Sequence, residues 1–144
     1  MKGAAAIVAL ATSLAWSSGP VLPPGWEIPS ELSDSCCQSA DFTGSGLLGG
    51  AFLLRSKDGN SFALFAHTIT SSRKEEWHKL HSGPASDLRK RSMKLIIAGT
   101  VLSGTRLPHG GIALCTAGGD CTAFYIPLAS GRFSSLHYGV NGDR

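Results

Sequence analysis

From Ala51 onward the hydrophobic positions fall in short blocks divided by polar and Gly-rich turns. Ala51 to Arg55 (AFLLR) has the pattern of a strand, and Phe62 to Ile69 (FALFAHTI) that of its partner. Between them Asp58-Gly59 is a strong hairpin signal. Along the second segment Phe62, Leu64, Ala66 and Thr68 share one face, while Ala63, Phe65, His67 and Ile69 share the other. Both faces are mostly apolar, which predicts a central strand covered on both sides. Glu75 to Leu80 (EEWHKL) reads as a third short strand or a helical turn. Ser82 to Ser92 (SGPASDLRKRS) is polar and basic and reads as a loop. Met93 to Leu102 predicts a further strand. Ile112 to Cys115 and Cys121 to Ile126 predict a hairpin around the Gly-rich turn Thr116 to Asp120, and Phe133 to Tyr138 a last strand. No helical periodicity of useful length and no internal repeat is present. The expected fold class is therefore all-β, or β-rich α+β, as a single small antiparallel sheet or sandwich.

The start of the chain has a different character. Lys2 precedes an apolar run, Ala4 to Leu14, and small residues such as Ser13 and Ala15 follow. This is the pattern of a cleaved secretory signal peptide over residues 1–19, and the run is too short to span a bilayer. Residues 20–40 open with the Pro-rich stretch Pro20 to Pro29 and predict an extended lead-in; residues 41–144 predict the β-rich domain. The expected location is secreted or periplasmic, with no transmembrane segment in the mature chain.

Composition narrows the picture further. The 144 residues suit one domain, and 42% hydrophobic against 16% charged residues argues against disorder. A formal net charge of +3 is too small to predict nucleic-acid binding. The four cysteines, Cys36, Cys37, Cys115 and Cys121, form an even set, which in a small exported chain predicts two disulfides. Cys115 and Cys121 stand opposite each other at the base of the predicted hairpin and are the favoured pair. Pairings of Cys36 or Cys37 with Cys115 and Cys121 compete with it, because a bridge between adjacent cysteines is geometrically poor. The spacings do not match common zinc sites, and no cofactor is expected.

Ala40 to Leu54 (ADFTGSGLLGGAFLL) resembles the D-x-N-x-D-G loop of FG-GAP-like domains and of small exported bacterial proteins of unknown function. Asp41 matches the first acid of that loop, Phe42, Gly44 and Gly46 match their positions, and Ala51, Leu53 and Leu54 match the following strand. The resemblance implies a β-domain and a calcium loop, with Asp41, Thr43 and Ser45 as metal candidates. Thr43, Ser45 and Gly49 stand at the third, fifth and ninth positions of the pattern, so only Asp41 keeps a charge, whereas calcium takes about 6–8 oxygen ligands. The residues themselves predict a turn in which Gly44 and Gly46 adopt positive φ and Asp41 bonds the turn backbone.

Signatures of catalysis are sparse. No G-x-S-x-G and no H-E-x-x-H occurs. His67, His78 and His81 make a nominal zinc set, and His67 or His81 beside the basic stretch could serve a small nuclease-like hydrolase. Arg89, Lys90 and Arg91 could instead steer an acidic partner, such as another exported protein or an anionic glycan. Trp26 is a candidate interface anchor, while Trp77 reads as core. The expected function is an exported cell-envelope binding or accessory protein without catalytic activity, with the hydrolase as the alternative.

Overall fold

The computed structural model describes residues 20–33 and 35–139. The predicted signal segment lies outside the described residues. Eleven strands occur among the described residues: β1 (Trp26–Glu27), β2 (Cys37–Ala40), β3 (Gly49–Ser56), β4 (Ser61–Ile69), β5 (Glu75–Pro84), β6 (Arg91–Ile96), β7 (Val101–Leu102), β8 (Thr105–Arg106), β9 (Gly111–Thr116), β10 (Asp120–Tyr125) and β11 (Ser134–Gly139). Two short 3-10 segments, Ser30–Leu32 and Ala85–Lys90, complete the element list.

The fold is all-β and antiparallel, as expected, and takes the sandwich form. Sheet A runs β1-β3-β4-β5, with β2 also paired to β3; sheet B runs β11-β10-β9-β6; β7 and β8 form a separate ribbon. The sheets pack through Ala51, Leu53, Phe62, Leu64 and Ala66 of sheet A against Ile112, Leu114 and Phe124 of sheet B. Burying such apolar surface is the main driving force of the fold.

The predicted hairpin forms as β3 and β4, with Leu53 opposite Leu64. Asp58 shapes its turn by accepting bonds from Ser56 Oγ (2.6 Å) and the Asn60 N–H (2.9 Å). The strand β4 is central, as its two apolar faces require, and is buried from Phe62 to Thr68. One face lies between the sheets. The other is the outer face of sheet A, where Leu54, Ala63 and Phe65 meet Leu22, Trp26, Phe52 and Trp77. There the lead-in is held by a bond from Trp77 Nε1 to the Val21 carbonyl (3.1 Å). Sheet B carries its own outer cluster of Ile96, Leu107, Ala113, Cys115, Cys121 and Ala123.

Four expectations need revision. The lead-in 20–40 is more than an extended approach: it contributes β1 and β2, and Cys37 to Ala40 pair with Phe52 to Gly49. The segment at Glu75 is a long strand of 10 residues, not a short strand or turn. It runs into the predicted loop and is interrupted by a bulge opposite Leu64 and Phe65. The rest of that loop is the 3-10 segment, pinned by Leu88, which is 1% exposed, followed by Arg91 and Ser92 as the first residues of β6. The strand predicted from Met93 to Leu102 ends at Ile96. The chain then turns, with the Thr100 hydroxyl donating to the Ile97 carbonyl (2.6 Å) and the Gly99 N–H to the Leu107 carbonyl (2.7 Å).

Candidate binding cleft between the sheet edges

The β2 edge of sheet A faces the β6 edge of sheet B. A cleft of about 420 Å³ opens there, lined by Leu32, Ser35, Cys37, Gln38, Leu53, Arg91, Ser92 and Met93. Its volume lies within the range of roughly 300–1,000 Å³ typical of small-ligand sites. The Gln38 side chain ties the edges together, with Nε2 donating to the Met93 carbonyl at 3.3 Å. Gln38 reaches across because Gln38 and Ala51 are paired and share the face of sheet A that meets sheet B.

Arg91 is placed by both of its neighbours in sequence. Leu88 anchors the 3-10 segment in the core, and the Arg91 N–H then caps that segment on the Leu88 carbonyl. Register does the rest: Arg91 lies opposite Thr116 and Met93 opposite Leu114, so both side chains take the inter-sheet face of β6. The Arg91 guanidinium has no carboxylate partner among the described residues. Its charge acts on His81, whose pKa is held below the ordinary histidine value first by burial and then by Arg91. The cleft thus combines one uncompensated cation, the amide of Gln38, the neighbouring Ser35, and an apolar wall of Leu32, Leu53 and Met93.

The other basic candidates are not in this cleft. Arg89 lines a second groove of about 540 Å³ with Glu31, Arg55, Gly59, Ala85 and Ser86. There Arg55 meets both carboxylate oxygens of Glu31, at 2.7 and 3.2 Å, and this bonding holds the Glu31 pKa below its ordinary value. Glu31 and Leu32 are neighbours on the first 3-10 segment, one on each groove. Lys90 is exposed and lines neither groove. Trp26 packs edge-on against Phe65, with ring centroids 5.2 Å apart, and the Lys79 ammonium sits 5.3 Å from its ring. It belongs to the outer face of sheet A and is not a cleft residue.

The histidines are dispersed. His67 faces the outer side of sheet A and bonds Glu75 at 3.0 Å. His81, opposite Leu64, faces the inter-sheet side beside Phe62. The two lie on opposite faces of one sheet and do not form a common site. His78 Nε2 approaches both Thr68 Oγ1 (3.1 Å) and Glu76 Oε1 (3.6 Å). A hydroxyl–imidazole–carboxylate relay needs the two partners on different ring nitrogens, so this arrangement is not a relay. No group of three His, Cys, Asp or Glu able to hold a metal occurs among the described residues, so His67, His78 and His81 are not gathered.

The loop at Asp41 folds as a turn around its carboxylate. Oδ1 accepts the Gly44 N–H at 2.9 Å and Oδ2 accepts the Gly46 N–H at 2.8 Å. Gly44 and Gly46 have φ of 76° and 82°, which side-chain-bearing residues rarely adopt. Thr43 and Ser45 donate their hydroxyls to the Ile69 carbonyl, at 3.2 and 2.8 Å. Asp41 thus closes the turn on itself, while Thr43 and Ser45 stitch the loop to the end of β4.

Both cysteine pairs are bridged. Cys115–Cys121 closes the β9–β10 hairpin as expected. Cys36–Cys37 is also bridged, against the expectation for adjacent residues. Once Cys115 and Cys121 pair across their own hairpin, Cys36 and Cys37 have only each other. Sequence reasoning passed over Gln38, Ser35 and Ser92. Nothing in the local pattern marks them, because they meet only when β2 and β6 come together. Set against protein-family models, curated proteins and solved structures, the chain has no match in any of the three.

Proposed function

We propose that this chain is an exported cell-envelope binding protein that holds an anionic glycan in the inter-sheet cleft and performs no chemistry on it. The observation that carries the reading is Arg91, a cation inside a cleft with no carboxylate partner among the described residues. Leaving such a charge half-buried and unpaired is costly unless a ligand completes it. An acidic sugar suits the rest of the lining. Its carboxylate pairs with the guanidinium, which is shaped for planar two-point contacts. Its hydroxyls meet Gln38 and Ser35, and its C–H face meets Leu32 and Met93. The dispersal of the histidines supports binding over hydrolysis, and the two bridged cysteine pairs suit an oxidising compartment. No helix among the described residues is long and apolar enough to cross a membrane.

The test is calorimetric titration with an oligogalacturonate, with its neutral galactose counterpart as the control. Binding of the acidic oligomer alone, weakened about tenfold or more by Arg91→Ala at unchanged melting temperature, is the expected result. Equal binding of both sugars, or an Arg91→Ala protein that binds normally, would refute the reading.

A further inference from the structure

The two ends of the sandwich are unlike. One end carries the connections 41–48, 70–74, 97–110 and 126–133. Packing gathers them: the Phe42 and Phe133 rings are 5.3 Å apart, the His109 ring lies against Gly44, and Thr43 and Ser45 bond the Ile69 carbonyl. The exposed large apolar residues collect here, Leu48, Ile97 (74%), Val101 and Leu128 (77%) in these connections and Leu95 close by in β6. Among the described residues the others, Val21 and Ile28, flank β1. The display rests on built turns. The Ile97 carbonyl accepts the Thr100 N–H and hydroxyl at 3.1 and 2.6 Å, Ser45 Oγ accepts the Leu47 N–H at 3.1 Å, and the Pro127 carbonyl accepts the Gly131 N–H at 3.3 Å. Large aliphatic side chains fixed in water at one end mark an interaction surface.

The same connections hold more cations than acids, with Arg73, Lys74, Arg106 and Arg132 against Asp41. Asp41 is engaged by the Gly44 and Gly46 N–H groups. At the adjoining start of β5, Glu76 pairs with Lys74 at 3.3 Å and Glu75 with His67 at 3.0 Å. Arg73, Arg106 and Arg132 are exposed and have no carboxylate partner among the described residues. At the opposite end the connections 57–60, 85–90 and 117–119 set Lys57, Arg89 and Lys90 against Asp58 and Asp87, and display no large exposed apolar residue.

We propose that the end bearing Ile97 and Leu128 docks on an anionic lipid surface. The aliphatic side chains enter the boundary between headgroups and acyl chains, and the three arginines meet lipid phosphates. The chemistry favours lipid over protein. The exposed set is entirely aliphatic and divided among separate connections, whereas the core of a protein interface is enriched in aromatic residues. Shallow insertion needs no continuous patch, because each aliphatic side chain gains by leaving water and each cation by nearing anionic headgroups. Arg91 opens β6 at the other end of the strand, so the proposal stands whether or not a glycan binds in the cleft.

The experiment is co-sedimentation of the protein, recovered from an exporting host, with vesicles of phosphatidylcholine alone and of phosphatidylcholine mixed with phosphatidylglycerol. Binding to the mixed vesicles alone is expected, falling as salt is raised. Ile97→Ser should weaken it roughly tenfold and Arg132→Gln several-fold, at unchanged melting temperature because both side chains are exposed. Arg89→Gln, at the opposite end, should sediment as the wild type does. Equal binding to neutral vesicles, no binding, or equal losses in Arg89→Gln and Arg132→Gln would overturn the proposal. A dimer in sedimentation velocity that Ile97→Ser dissociates, with no vesicle binding, would overturn it in favour of a second copy of the chain.

Discussion

Leu88→Ala tests how the cleft is built, because the 3-10 segment that delivers Arg91 has Leu88 as its single buried residue. Leu88 is 1% exposed and belongs to the main core with Phe42, Phe62 and Leu64. Truncation removes the side chain's burial and leaves a void whose walls, strands of two sheets, can close only in part. Buried Leu→Ala changes cost about 2–5 kcal/mol, and a well-enclosed site of this kind should cost about 3 kcal/mol. Against a total stability of roughly 5–15 kcal/mol this is a large fraction. It corresponds to a fall in melting temperature on the order of 10–15 °C for a domain of this size. Urea unfolding followed by circular dichroism gives the loss directly, with the midpoint falling and the slope constant. Amide exchange should also show residues 85–91 losing protection before the strands do. A loss under about 1 kcal/mol, or protection unchanged at 85–91, would mean that Leu88 does not pin the segment, and the account of Arg91's placement would fail.

Two further outcomes are expected. His81 has a folded-state pKa below its ordinary value, so the neutral ring is favoured in the fold; the stability linked to it is complete above about pH 6.5 and is lost as pH falls through the folded pKa. Melting temperatures from pH 7.5 to 5 should therefore fall less steeply for His81→Gln than for the wild type, and identical slopes would contradict this. Asp41→Ala removes the acceptor of the Gly44 and Gly46 N–H groups and should cost about 1–2 kcal/mol by urea unfolding. Millimolar calcium should leave the wild-type melting temperature unchanged; a clear rise would show that the loop binds the ion after all.

The parts of this fold that could be read in advance are those whose partners are close in sequence. The hairpin at Asp58-Gly59, the Cys115–Cys121 hairpin and the turn at Gly44 and Gly46 each follow from a few adjacent residues. The strand β2 escaped notice because CQSA has no strong strand pattern; it is ordered by pairing with Gly49 to Phe52. The strand β6 ends early because the chain turns at Ile97 to Thr100, a turn secured by the distant Leu107 carbonyl. The bulge in β5 shifts which residues face the core after Lys79. Simple alternation therefore cannot predict the side occupied by His81. The basic run Arg89 to Arg91 was visible as charge, but the three residues separate into a groove, an exposed position and the cleft, because each turns to a different side where the 3-10 segment becomes strand. The cleft is the least legible feature, since it exists only where two sheet edges meet.

The most direct test of the central claim is to map an oligogalacturonate titration onto the assigned amide spectrum of the labelled protein. Saturable shifts confined to Ser35 to Gln38 and Arg91 to Met93, weakening as salt is raised, are the predicted result. Shifts centred on the outer face around Trp26 and Trp77, or no saturable shifts at all, would contradict the assignment of the cleft as the binding site.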